Sequence, residues 1–252
     1  ASDFDNGLKE FMERVARPSS IAILHENTLF GTSTAGAMRE WARKAGVRVL
    51  MYEAYDAGSP DFKPLLMRVK SAGTDIVYMV SYLLDAVLLM RHAKEVDLNP
   101  KAFAGAAAGF SILPFIEGAG ETAEYVLSSS MWERSVPYRG AKEYYEKYTR
   151  RYGRPPSYHG AQGYAAVYVV ADVLNRARSL APEDIVDALS KTNLMTAYGP
   201  IRFLNSGGFT NQARLPTFVI QVQKGKFEVV WPRGVATARA VYPTPPWRAR
   251  AR

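Results

Sequence analysis

Few side chains suited to chemistry occur in this chain, and they are scattered. Cysteine is absent, which removes thiol nucleophiles, disulfides and thiolate metal sites together. Histidine occurs only at His25, His92 and His159, with no H-x-x-x-H or H-E-x-x-H spacing. A histidine metal centre needs two or three rings converging on one ion, so no metal site is expected. Gly31-Thr32-Ser33-Thr34-Ala35 comes near the G-x-S-x-G elbow of a serine hydrolase. Its last glycine is missing, however, and Ser33 falls inside a predicted helix rather than on a strand-to-helix turn; it reads as a capping or surface serine. Glu117-Gly118-Ala119-Gly120-Glu121 holds a G-x-G without a third glycine or a preceding strand, and reads as a flexible turn. There is no G-x-x-x-x-G-K-[ST] phosphate loop, and no carboxylate pair stands in an acid/base context. No catalytic residue and no cofactor are expected.

The formal net charge of +8 raises nucleic acid as a partner. Part of that excess sits in a Pro-rich end with Arg248, Arg250 and Arg252, expected to be frayed or wrapped. Another part is Arg139 to Arg154, where basic residues alternate with tyrosines, as a nucleic-acid surface can. Tyr144, Tyr148 and Tyr152 recur at i, i+4 and i+8, though, which is the inward stripe of an amphipathic helix, and Glu143 and Glu146 break the positive field. The stretch reads as a solvated helix, with no nucleic-acid partner. No apolar run approaches the ~20 residues that cross a bilayer. Asp3 and Asp5 stand where a signal peptide would be basic and then apolar. The sequence reads as soluble, either cytosolic or a mature secreted form.

The elements that must position any binding residues alternate along the first half. Ser20 to His25, Val47 to Tyr52, Asp75 to Val80, Ala102 to Ala106 and Tyr125 to Ser129 read as strands. Helices are predicted between them: Gly31 to Ala45, one started by Ser59 as N-cap with Pro60 at N1, Leu84 to Val96, and a weaker one over Ile112 to Glu117. The continuous apolar run DIVYMV is what a parallel strand covered on both faces requires. Repeated βα units with short joins specify an open, mostly parallel sheet, whose ligands sit outside the carboxyl ends of the strands at a switch point. After Met131-Trp132-Glu133-Arg134 two helices follow, Gly140 to Tyr152 and Gly160 to Ser179, then a shorter one from Pro182. Beyond Tyr198-Gly199-Pro200 the chain turns β-like, ending in a predicted hairpin of Thr217 to Val222 and Phe227 to Trp231 around Gln223-Lys224-Gly225-Lys226.

The run SIAILHENTLFG at Ser20 to Gly31 resembles the leucine/isoleucine/valine-binding family of solute-binding proteins with the type I periplasmic-binding fold. Further matches follow in order: Gly58-Ser59-Pro60-Asp61-Phe62, Asp75-Ile76-Val77-Tyr78, the helix Arg91 to Leu98, and the small residues Gly105 to Gly109. Gly163-Tyr164-Ala165-Ala166, Tyr198-Gly199-Pro200-Ile201-Arg202-Phe203 with Gly207-Gly208, and Val230-Trp231-Pro232 complete the series. The resemblance implies an α/β architecture of two Rossmann-like lobes with mostly parallel sheets, the first lobe incomplete. Residues 1–130 would form the complete second lobe, 131–200 the second half of the first, and 201–252 the hinge return, final strands and Pro-rich end.

The same resemblance implies a non-enzyme. It would be an extracytoplasmic, periplasmic binder that delivers a small organic solute to an ABC permease by hinge closure. It places Phe30, in the loop after the first strand, where an aromatic residue packs on the ligand. Ser81 and Tyr82, after DIVYMV, come at the cleft mouth, and Tyr158, before the long helix, at a hinge-side contact. Core packing is the plain alternative for Phe30 and Tyr82, and helix capping for Ser81. Family members that bind amino acids carry a carboxylate just after the Gly105 strand, where this chain has Ala106-Ala107-Ala108, with Ala107 lining the site. A buried ammonium without a counter-charge is costly, so the alanine run favours a carboxylate or other neutral or acidic solute, and in view of the three rings an aromatic one, over an α-amino acid. A ligand-sensing effector domain of a receptor or transcriptional regulator, built on the same fold, is the rival reading.

Overall fold

β1 (Ser20–Glu26) and β3 (Ile76–Val80) are buried along their whole length, as strands must be when both faces of a sheet are covered and both neighbours are hydrogen-bonded. A computed structural model describes residues 3–106 and 109–250; Ala107 lies outside the described residues. The chain divides into two units, one made of the segments up to Ser130 and from Thr217, the other of Met131–Pro216.

In the first unit β1, β2 (Arg48–Tyr55), β3, β4 (Ala102–Ala106) and β5 (Leu127–Ser130) pair in parallel. β10 (Phe218–Gln223) joins antiparallel to β5, and β11 (Lys226–Trp231) antiparallel to β10. The order across the seven-stranded sheet is β11-β10-β5-β4-β3-β1-β2. The mostly parallel α/β sheet is the one the βα alternation predicts, and the last two strands form the expected hairpin. Alternate strand residues feed two cores. Ile21, Ile23, Tyr78 and Val80 face α1 (Asn6–Phe11) and α2 (Leu29–Lys44), which contribute Leu8, Phe11, Ala35 and Met38. Ala22, Leu24, Val77 and Met79 face α3 (Lys63–Ala72), α4 (Leu83–Glu95) and α5 (Leu113–Ala119), through Leu66, Leu89, Met90 and Phe115.

α1 was not expected, although Leu8, Phe11, Met12 and Val15 carry its i, i+3, i+4, i+7 signature. It is pinned by Asp5, a buried carboxylate that accepts from Tyr78 Oη and Ser129 Oγ at 2.5 Å each. Two helix starts differ from expectation. α2 begins ahead of Gly31 because Thr28 Oγ1 accepts from the Gly31 amide at 3.1 Å; Phe30 therefore stands in a helical first turn and not in a loop. α3 begins at Lys63 rather than after Ser59, since Ser59 Oγ is spent on the Asp56 carbonyl at 2.8 Å. There the Phe62 amide donates instead to His92 Nδ1 at 3.1 Å.

The second unit holds α6 (Ala141–Tyr152), α7 (Tyr158–Arg176), α8 (Pro182–Ser190) and two antiparallel ribbons. These are β6 (Asn193–Thr196) with β7 (Gly199–Arg202), and β8 (Leu204–Ser206) with β9 (Phe209–Gln212). The tyrosine stripe of α6 packs as an intramolecular ladder, Tyr144 on Tyr148 and Tyr148 on Tyr152 at 5.8 and 4.6 Å between centroids.

The Pro-rich end is wrapped. Trp247 is 8% exposed, its indole N–H donates to the Leu98 carbonyl at 2.7 Å, and the Arg250 guanidinium stacks on it at 3.6 Å. Trp247→Ala is expected to cost ~3–5 kcal/mol, the usual penalty for emptying a large buried aromatic site, and to expose Arg248 to trypsin. Urea midpoints and limited proteolysis check both; a cost under ~1 kcal/mol would make the segment a passenger.

Candidate functional site

Strand order reverses between β1 and β3. α2 leaves β1 for one face of the sheet and α4 leaves β3 for the other, so the two connections diverge and open a crevice at the carboxyl ends, where ligands of such sheets bind. The residues there come from three neighbouring strand ends. Glu26 closes β1 beside its Cα partner Tyr55 at the end of β2, and Ser81-Tyr82 follows β3.

Phe30 and Tyr82 meet across the switch point, their ring centroids 6.4 Å apart and tilted by 33°. Phe30 also packs edge-on to Phe4 at 6.4 Å and is half-buried, whereas Tyr82 is 50% exposed. Ser81 is fully buried. It does not cap α4, whose N-cap is Tyr82 with no side-chain cap bond. Its Oγ instead lies 2.5 Å from the donating Tyr55 hydroxyl, which is also 3.2 Å from the Val80 carbonyl oxygen. Burial, reinforced by the charges of Asp85 and Glu26, pushes the Tyr55 phenol up, so it stays a donor. Gly109 closes the floor: a β-carbon there would overlap the Ser81 carbonyl oxygen, so the chain after β4 crosses the β3 loop at backbone distance.

Two acids complete the crevice. Asp85, in the first turn of α4, accepts from the Gly58 amide with both carboxylate oxygens at 3.1 Å. Glu26 is fully buried; Thr28 Oγ1 donates to Oε1 at 3.2 Å, and Oε2 has no hydrogen-bond partner. Burial raises the Glu26 carboxyl above its usual range, Asp85 adds to the rise, and the Thr28 hydroxyl and Tyr82 amide oppose it without cancelling it. Gly31 packs so tightly on Glu26 that a β-carbon would meet its carbonyl oxygen and Cγ, which holds the side chain among the loop residues.

Of the expected site residues, the structure brings Phe30, Ser81 and Tyr82 together. Ala107 is not among the described residues. Tyr158 belongs to the other unit, where it is the first residue of α7 rather than lying ahead of it, 5% exposed and stacked on His159 at 4.0 Å. Glu26, Tyr55 and Asp85 went unpredicted. The signal for Glu26 was available, because it is a charged residue directly ending an apolar parallel strand, where ligand contacts concentrate. The histidines are held singly, His25 Nδ1 against the Glu26 carbonyl at 2.8 Å and His92 on the Phe62 amide. No group of three or more metal-ligating side chains occurs among the described residues, and no helix there is long and apolar enough to cross a membrane. A groove of about 670 Å³ lined by Phe11, Val15, Trp231 and Arg233 contains none of the crevice residues Glu26, Phe30, Tyr55, Ser81, Tyr82 and Asp85.

A family model described as "Periplasmic binding protein" matches residues 2–226. The chain belongs to that family. Among curated periplasmic binding relatives, Leu/Ile/Val-binding protein homolog 7 of Brucella melitensis is 26% identical over 257 aligned positions, covering 96% of this chain and 64% of the relative. Homolog 8 of Brucella abortus is 26% identical over 245 positions, covering 92% and 59%. The chain thus spans less than two thirds of the length of these relatives. A leucine-binding protein from Thermotoga maritima superposes with a TM-score of 0.81 at 22% identity, covering 90% of this chain and 64% of that one. A solute-binding protein of R. palustris, solved with benzoate, superposes at 0.78 and 12% identity, covering 96% and 64%. At these identities the superpositions establish the type I periplasmic-binding fold.

Because the folded-state pKa of Glu26 lies above its ordinary 4.5, the stabilisation it contributes is complete below that value and is lost as pH rises through the raised one. Glu26→Gln removes this dependence. The variant is therefore expected to gain stability relative to the unsubstituted chain as pH rises from about 4 to about 8, read as the difference in urea midpoints. A difference that falls with pH would contradict the buried, uncompensated carboxyl.

Proposed function

We propose that the chain is the binding part of an extracytoplasmic solute-binding protein, on the periplasmic side of a bacterial cell envelope. It captures a small organic solute and delivers it to an ABC permease. The solute is a carboxylate, aromatic or aliphatic, or an amino acid, and capture proceeds by closure of two lobes about a hinge. The observation that carries the reading is the Phe30–Tyr82 ring pair on the two connections that diverge at the switch point of the sheet, in a chain of the periplasmic binding protein family. Apolar and aromatic walls with a few placed polar groups are what small-solute sites use, and Ser81, Tyr55 and Glu26 supply those groups here. The names of the Brucella relatives support solute binding.

A thermal-shift panel of branched amino acids, aliphatic acids and benzoate tests this, since a ligand that binds only the folded chain raises its apparent stability. At least one solute is expected to give a saturable shift, and a panel without any would remove the reading. Tyr82→Ala should weaken that solute's binding by ~1–3 kcal/mol, the scale of one aromatic contact with its burial. The urea midpoint should hardly move, because Tyr82 is half-exposed. A large stability loss with unchanged affinity would return Tyr82 to a packing role.

A further inference from the structure

The groove beside the first helix is built from three elements of the first unit. One wall is Phe11 and Val15, four residues apart along α1 and the helical turn, Met12–Ala16, that continues it. The second is the end of β11, with Val230 and Trp231, whose ring stands edge-on to Phe11 at 6.5 Å. The chain then turns back past Arg233 and supplies Ala236, Ala238 and Ala240 as the third side. Those small side chains leave open a volume of about 670 Å³, within the roughly 300–1,000 Å³ that small-molecule sites occupy. The return segment is fixed in place. The amides of Thr237 and Ala238 donate to the Val229 carbonyl at 2.8 and 3.2 Å, and the Val229 amide donates to Thr237 Oγ1 at 2.9 Å. Gln223 Nε2 holds the Arg239 carbonyl at 2.8 Å.

The rim of this groove is cationic. Arg233 and Arg239 both line it and are exposed, and among the described residues neither guanidinium makes an ion pair or a hydrogen bond. The acids on the adjoining elements are engaged elsewhere. Glu10 accepts from the Trp231 indole at 3.1 Å and pairs with Arg14 at 3.0 Å. Glu13 accepts from the Trp41 indole at 2.6 Å, and Glu228 accepts from the Thr237 hydroxyl. A guanidinium is planar and weakly hydrated, and it takes a carboxylate with two parallel hydrogen bonds. Two of them at the mouth of an apolar groove are complementary to a molecule with an acidic head and an apolar body.

We infer that this groove is a second binding site, for an amphipathic organic anion of the alkyl carboxylate class. The acid lies against Arg233 and Arg239, and the apolar body along Phe11, Val15, Trp231 and the alanines. The inference goes beyond solute capture and does not rest on it, since the groove shares no residue with the crevice. β11 is the outermost strand of the sheet, so an occupant joins that edge to the first helix.

Octanoate is the probe, with octanol as its uncharged counterpart, each titrated calorimetrically into the 252-residue chain at low ionic strength. Octanoate is expected to bind saturably, more tightly than octanol, and to weaken as salt is added. This comparison needs no variant. The double substitution Arg233→Gln/Arg239→Gln should weaken octanoate by about threefold to thirtyfold, the scale of two partly exposed ion pairs, and leave octanol within about twofold. Ala238→Leu keeps both charges but fills the groove, and should abolish binding of either probe. Urea midpoints of the variants, expected to stay close to that of the parent, separate lost binding from lost folding. Octanoate indifferent to these substitutions, or weakened by Tyr82→Ala in their stead, overturns the inference. So does octanol binding as tightly as octanoate, or no binding at all. Sedimentation of the unliganded chain covers a different occupant: a dimer that Ala238→Leu dissociates would put a second copy in the groove and overturn the inference too. Each of these outcomes leaves solute capture at the crevice standing.

Discussion

β1 has a parallel neighbour on each side and a helical layer on each face, and no residue of it reaches solvent. A strand so enclosed cannot shift register by one residue without moving Ile21 and Ile23 into the space of Ala22 and Leu24 and exchanging the two cores. Its end is therefore fixed in depth, and Glu26 with it. The helices that follow β1 and β3 must lie on opposite faces because each face has its own apolar stripe to cover. The crevice is the unavoidable gap between two connections that leave the same edge in opposite directions. Everything assigned to the site stands on residues within a few positions of that gap.

The crevice shows how polar groups are partitioned by task. The Tyr55–Ser81 bond ties the end of β2 to the end of β3 across the end of β1, so it braces the three strand ends that a ligand would touch. Gly31 and Gly109 allow backbone to press on Glu26 and Ser81, which limits their motion without further hydrogen bonds. These contacts give the Phe30 and Tyr82 rings a rigid base while leaving the rings themselves partly free. That combination suits a site that must accept a solute and then hold it.

How much of this could be read from the sequence depends on the range of the interaction. The βα alternation, the two-faced burial of DIVYMV and the final hairpin are written in local periodicity; Ser81 and Tyr82 directly follow a strand, whereas Phe30 stands four residues past the end of β1, in the first turn of α2. Helix starts were less legible. Ser59-Pro60 has the composition of an N-terminus, but a histidine thirty residues away in sequence receives the amide that a cap would have satisfied, and the helix starts later. Glu26 was lost because the apolar run was ended one residue short, at His25. Tyr55 and Asp85 were lost because their partners, Ser81 and Gly58, are 26 and 27 residues distant, beyond the reach of any pattern in a single chain. The wrapped end was legible only as an alternative, since its anchors on Leu98 and Asn99 lie about 150 positions upstream.

The first unit is discontinuous: β5 ends at Ser130, and its partner β10 begins only after the whole of Met131–Pro216. A chain that emerges N-terminus first must therefore hold β5 as an open sheet edge while the intervening segment is made, on the order of ten seconds at ~5–20 residues per second. An unpaired edge is a template for pairing with another nascent chain. The composition of β5 answers that hazard, because Leu127-Ser128-Ser129-Ser130 offers one apolar side chain and three hydroxyls to a passing strand. Two of those hydroxyls later find partners inside the folded unit, Ser128 on the Gly105 carbonyl and Ser129 on Asp5. Of the serines that keep the waiting edge unattractive, Ser129 fastens the sheet to its first helix and Ser128 ties β5 to β4.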